Sequence, residues 1–113
     1  MSEPKQKRSA VVAQIRPSTL RDQVHRLAKD TSNISWSKHA LQRMEERGIR
    51  DVMAVDVLRS GEVKGAIETG QKPGEWKAKL AQQIKGRREV GVVVIVYRNS
   101  RLFVKTAEWE DMS

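Results

Sequence analysis

A change of hydrophobic period at Gly61 divides this chain and constrains what it can fold into. Before Gly61, apolar residues recur every three to four positions, the mark of helices buried on one side. After it they alternate, the mark of strands. The later segments are joined by links too short for a helical crossover, which excludes parallel crossover units there. The expected fold is therefore α+β: helices packed on one face of a four-stranded, mainly antiparallel sheet.

The first helix is expected over 19–29, with Ser18 as N-cap and Leu20, Val24, Leu27 and Ala28 as its stripe. A second fits 38–47, between the N-cap Ser37 and the stop Gly48, with Ala40, Leu41 and Met44 inward. A third fits about 51–59, burying Val52, Val55 and Leu58. Strands are expected over 62–68, 75–85, 90–98 and 101–109. In the second strand, Trp76, Ala78, Leu80, Gln82 and Ile84 alternate with Lys77, Lys79, Ala81, Gln83 and Lys85. In the last, Leu102, Val104 and Thr106 oppose Phe103, Lys105, Ala107 and Trp109.

The 113 residues suit one domain, 18–113, behind a basic N-terminal tail, 1–17. Lys and Arg number 22 against 14 Asp and Glu, a net charge of +8. That excess favours an anionic partner, a nucleic acid or an acidic protein. No cysteine is present, which excludes a disulfide scaffold, a thiol nucleophile and a Cys-ligated zinc site. The only histidines are His25 and His39, so no metal or cofactor is expected. No apolar run approaches the roughly 18–20 residues of a membrane span, nor is there a secretory h-region. A cytoplasmic location without membrane association is the expectation.

Two constellations carry possible chemistry. His39, Arg43 and Arg47 are spaced four apart on the second helix, so neighbours in the series share a surface. An imidazole beside a guanidinium can act as a general base next to a held phosphate. The alternative is a solvated face, with the arginines paired to nearby acids. The second constellation is basic: Lys72, Lys77, Lys79, Lys85, Arg87 and Arg88 against one acid, Glu75, with Lys105 in the last strand. On the face away from the helices these would bind a phosphate backbone. The alternative is edge-strand protection. Tyr97 is a polar handle near that surface. Trp36, Trp76 and Trp109 are expected to pack.

The run Ser35-Trp36-Ser37-Lys38-His39-Ala40-Leu41-Gln42-Arg43-Met44-Glu45-Glu46-Arg47-Gly48-Ile49, followed by Leu58-Arg59-Ser60-Gly61, resembles the bacterial domain-of-unknown-function family 4258 over about 34–109. In element order the chain is similar to RelE-like and messenger-RNA-interferase toxins. That likeness implies a metal-independent endoribonuclease with RNA as substrate and an antitoxin as partner. The family motif carries His39, Arg43 and Arg47. Strand phase adds Lys105 to the catalytic set, and Lys77, Lys79, Lys85, Arg87, Arg88 and Tyr97 to the nucleic-acid-binding set. Two other readings stand beside it: a non-catalytic module binding nucleic acid or an acidic partner, and a helix motif that is purely structural.

Overall fold

A computed structural model describes residues 15–84, 86 and 88–111. Residues 1–14 of the expected tail, Lys85 and Arg87 lie outside the described residues. The elements run α1 (Pro17–Ala28), a short 3-10 turn (Thr31–Asn33), β1 (Ile34–Trp36), α2 (Lys38–Arg47), α3 (Asp51–Ser60), β2 (Glu62–Thr69), β3 (Glu75–Gln83), β4 (Glu89–Tyr97) and β5 (Arg101–Trp109). The sheet has five strands, ordered β1-β5-β4-β3-β2. β1 pairs parallel to β5, and every other pair is antiparallel.

The α+β class stands; the four-stranded sheet does not. The additional strand, β1, has only three residues, too few for alternation to be visible. Pairing with β5 forms it, Ile34 opposite Leu102 and Trp36 opposite Val104. The preceding turn is held by Asp30, whose side chain accepts from the Ser32 amide at 3.0 Å.

α1 starts at Pro17, not behind a Ser18 cap, because proline's fixed φ suits the first helical position. Ile15 already packs against the core. α2 has its expected bounds and buries Ala40 and Met44, but Leu41, expected inward, is 51% exposed: it lies about 100° around the helix from Ala40 and turns away from the sheet. The Ser37 hydroxyl accepts from the Ala40 amide at 2.9 Å, and Gly48 ends the helix at φ 70°, a conformation other residues adopt at a cost.

Two further expectations are corrected. α3 buries Ala54, Val57 and Leu58 instead of Val52, Val55 and Leu58. Both sets match helical spacing, and the orientation is chosen by contact with α1 and the sheet. Val52 is 56% exposed. Truncating the two residues tests the orientation. Leu58→Ala is expected to cost about 2–5 kcal/mol in urea denaturation, and Val52→Ala less than about 0.5 kcal/mol. Equal costs would mean the outer stripe is packed.

The second correction is the phase of β5. Its register with β4 shifts between Val93 and Val94, where Val93 faces Thr106 and Val94 faces Val104. Lys105 is the extra residue of this bulge. Beyond it the faces exchange. Ala107 is buried and Trp109 packs against the core, while Thr106 joins Phe103 on the other face.

The core lies between the helices and one sheet face. Leu20, Leu58, Leu80, Leu102, Val92, Val94, Val96 and Val104 are fully buried there. Among the described residues, no helix covers the opposite face of the sheet.

Candidate nucleic-acid interface

Residues paired across strands share a face, so the register maps the open surface. One row holds Arg101, Tyr97 and Glu75. The next holds Ser35, Phe103, Ile95, Lys77 and Glu68. A third holds Thr106, Val93, Lys79 and Lys64, and a fourth Glu108, Gly91, Ala81 and Glu62. Lys77 and Lys79 reach this face because Ala78 and Leu80, between and beside them, are buried in the core.

The surface is not evenly cationic. Toward the last row its lysines, Lys64 and Lys79, are tied into an ion cluster with more acids than cations, Glu89, Glu108 and Glu110. The Lys79 ammonium donates to Glu108 at 3.1 Å and to both Glu110 oxygens at 3.0 Å. Lys64 lies 3.3 Å from Glu89 and 3.2 Å from Glu110. The Glu110 side chain is only 7% exposed. Burial pushes its carboxyl pKa up, but hydrogen bonds with Lys79, Glu108 and Lys64 outweigh burial and hold it below the usual value. Burial pushes the Lys79 ammonium down, and its bonds to Glu110 and Glu108 outweigh that and raise it.

Toward the β4–β5 turn the balance differs. Arg98 and Asn99 form this turn with φ of 47° and 55°. The Arg98 amide donates to the Gly74 carbonyl at 2.9 Å, which brings the β2–β3 loop and Lys72 to the same end of the sheet. The Arg98 guanidinium lies 5.4 Å from the Tyr97 ring centroid. Phe103 is 38% exposed, the one large hydrophobic exposed on this face among the described residues. The Lys105 ammonium lies 5.9 Å from its ring centroid. This half therefore brings Lys77, Arg98, Arg101 and Lys105 around two aromatic rings, with Glu68 and Glu75 as the acids in the same rows.

The helix residues separate into two kinds. α2 runs beside β5 past the point where β1 ends. There β5 would expose unpaired carbonyls. The Ser37 amide and hydroxyl donate to the carbonyls of Val104 and Lys105, at 3.0 and 3.1 Å. The Arg47 guanidinium donates to the Ala107 carbonyl at 2.7 Å. The Trp109 indole N–H returns to the Arg47 carbonyl at 2.7 Å. Arg47 thus closes a sheet edge. Arg43 lies 2.9 Å from Glu46, one helical turn on, and that carboxyl is held below its usual value by the contact. His39 is exposed in the first turn of α2. Arg88 is engaged as well, 2.9 Å from Asp111 and 4.0 Å from the Trp109 ring centroid. Lys85 and Arg87 lie outside the described residues. Trp109 is committed to packing and to Arg47, as expected.

The partners Glu108 and Glu110 were a weak signal in the sequence: two acids two residues apart share a strand face and can meet a lysine strand. Phe103 gave no signal, since its exposure follows from the sheet's open side.

A family model described as a domain of unknown function, DUF4258, matches residues 36–109. The chain belongs to the DUF4258 family. The match takes in α2, α3 and β2 to β5, and leaves α1 outside. No curated protein and no solved structure matches the chain. Read on this DUF4258 domain, most of the helix motif is structural. Ala40, Met44 and Ile49 are buried, Ser37 and Gly48 bound the helix, and Arg47 closes the edge. His39 is exposed and Arg43 half-buried, and neither is taken into the core.

Among the described residues, no three His, Asp or Glu side chains come together as a metal site, and no helix is long and apolar enough to cross a membrane.

Proposed function

We propose that this domain binds single-stranded RNA across the turn-side half of its open sheet face. The observation that carries the reading is the exposed Phe103 ring, beside the Lys105 ammonium. Tyr97 lies diagonal to it, one pair further along β4, within the roughly 7–8 Å reach of such neighbours. Bases stack on the rings, and Lys77, Arg98, Arg101 and Lys105 meet phosphates. The ion cluster around Glu110 repels phosphate and bounds the path on the other side. Lys79, bound to two carboxylates, positions that boundary.

A second reading adds cleavage of the RelE-like toxin type. What favours it is the place of His39: it follows Ser37, whose hydroxyl is bonded to the Lys105 carbonyl. RNA on Phe103 and Lys105 passes the first turn of α2. His39 takes the 2′-hydroxyl proton, the 2′-oxygen attacks phosphorus, and the bond from phosphorus to the 5′-oxygen breaks as that oxygen takes a proton from water. Arg43 and Lys105 stabilise the charge on phosphorus. The products are a 2′,3′-cyclic phosphate and a 5′-hydroxyl.

Anisotropy of a fluorescent mixed-sequence RNA oligomer, in EDTA and over a salt series, tests both readings. Phe103→Ala is expected to weaken binding about tenfold, from the roughly 1–3 kcal/mol of a stacked base. Lys105→Ala is expected to reduce the salt slope by about 0.7, one single-strand phosphate contact. Unchanged affinity and slope in both variants would remove RNA from this face. Cyclic-phosphate product from the parent and none from His39→Ala, with binding kept, supports cleavage. Binding without product from the parent leaves a binding module.

A further inference from the structure

On the helix side lies a groove of about 490 Å³ between the end of β1 and the outer face of α3. Its floor is apolar: Trp36 and Val55 are half-buried and Val52 is 56% exposed. Val52, Val55, Asp56 and Arg59 follow one another along α3 at helical spacing. Beside its buried face of Ala54, Val57 and Leu58, α3 therefore carries a short apolar strip, half-buried Val55 and exposed Val52. With the half-buried Trp36 ring this strip makes an apolar floor edged by charge, the shape that takes an amphipathic segment.

The rim gives the sign of the partner. Asp51 and Asp56 line the groove and, among the described residues, neither meets a cation at ion-pair distance. The cation that lines the groove, Arg59, is held at the α1 terminus, where its guanidinium donates to the carbonyls of Ala28 and Lys29 at 2.8 and 3.3 Å, so two carboxylates stand against one guanidinium. On a chain of net charge +8 this rim is locally acidic. It repels RNA and an acidic protein alike.

We propose that this groove docks a cationic amphipathic segment of a partner protein. Aliphatic side chains lie on Trp36, Val52 and Val55, and lysines or arginines face Asp51 and Asp56.

The test is a titration of the full chain, followed by backbone amide NMR, with a short synthetic helix of leucines and lysines. A matched peptide with glutamate for lysine serves as control. Shifts centred on Trp36, Val52 and Val55 are expected, with at least tenfold weaker binding of the glutamate peptide. The exposed double variant Val52→Lys, Asp56→Lys is expected to lower affinity at least tenfold with its fold retained. Equal binding of both peptides, or shifts centred on Glu108 and Glu110, would overturn the proposal. A further arm uses Lys5→Glu, Lys7→Glu, Arg8→Glu. If that variant binds the lysine peptide at least tenfold tighter than the parent, the chain's own N-terminal segment is the occupant and the partner proposal fails. Unchanged affinity supports an external partner.

Discussion

Replacing Arg47 with methionine is expected to lower the unfolding free energy by about 2 kcal/mol, the range of a hydrogen bond from a charged donor. For a domain of this size that is a fall in Tm of roughly 8–16 °C. The physical reason is the sheet edge. β1 covers β5 only as far as Val104, and Ser37 takes the next carbonyls. The Ala107 carbonyl then depends on the Arg47 guanidinium, 2.7 Å away. Methionine keeps much of the stem but removes the donor. The carbonyl is left at a partly covered edge, and the Trp109 indole, bonded to the Arg47 carbonyl, loses the alignment of the helix end. Arg43→Met is the control. Its ion pair with Glu46 is largely exposed and spaced three residues apart, worth about 0.2–0.5 kcal/mol. The two arginines therefore separate: one variant loses stability, the other keeps it. If Arg47→Met melts with the parent while RNA cleavage disappears, Arg47 belongs to chemistry and not to the edge. Thermal melts followed by circular dichroism, run beside the RNA assay, read both.

That contrast also shows where sequence spacing stops being informative. His39, Arg43 and Arg47 form one series in the chain, each step turning the helix face by about 40°. Spacing alone presents them as a set. The third member has rotated far enough to meet β5, and only the position of the sheet edge reveals it. Local signals were legible wherever one residue decides the outcome. The Ser37 hydroxyl and the left-handed backbone of Gly48 bound α2 at Lys38–Arg47, and β5 runs from Arg101 to Trp109. Features set by neighbouring elements were not legible. β1 exists because β5 has a free edge. The bulge at Lys105 belongs to the pairing of β5 with β4, and it reverses Ala107 and Trp109 relative to simple alternation. α3 offers two helical stripes, and packing chooses one. The candidate interface was partly visible for the same reason. Lys77 and Lys79 follow from the phase of β3, but the carboxylates that neutralise Lys79 come from the end of β5, about thirty residues later.

Those carboxylates lead to the second large effect. Lys79→Met is expected to cost about 2 kcal/mol at neutral pH. Breaking a fully buried pair costs about 3–5 kcal/mol, and solvent screening at the partly exposed Lys79 lowers that figure. In the parent, the Glu110 carboxyl is held below its ordinary value despite burial. Its contribution to stability is therefore full above the ordinary carboxylate range and is lost as pH falls through the lowered value. In Lys79→Met, burial persists while the main partner is gone, and only the more exposed Lys64 remains. The Glu110 carboxyl then moves upward, and its charged form opposes folding at neutral pH. Protonation relieves that opposition. The stability gap between parent and variant is expected to be widest at neutral pH and to close as pH falls through and below the carboxylate range, where Glu110 is neutral in both. Urea denaturation across a pH series measures the gap. A gap that stays constant into acid would assign the loss to packing of the Lys79 stem and remove the ion cluster as a stabilising feature. Glu110→Gln supplies the complementary curve. It keeps the side chain's shape, leaves Lys79 bonded to Glu108, and flattens the acid limb of the parent's profile. In RNA binding, the same substitution removes a negative charge from the boundary of the proposed path. Its affinity for the oligomer is expected to rise, whereas Lys79→Met, which uncovers both Glu108 and Glu110, lowers it. Opposite signs from two members of one ion pair show that the cluster acts on the oligomer through charge, and unchanged affinity in both variants would remove it as a boundary of the path.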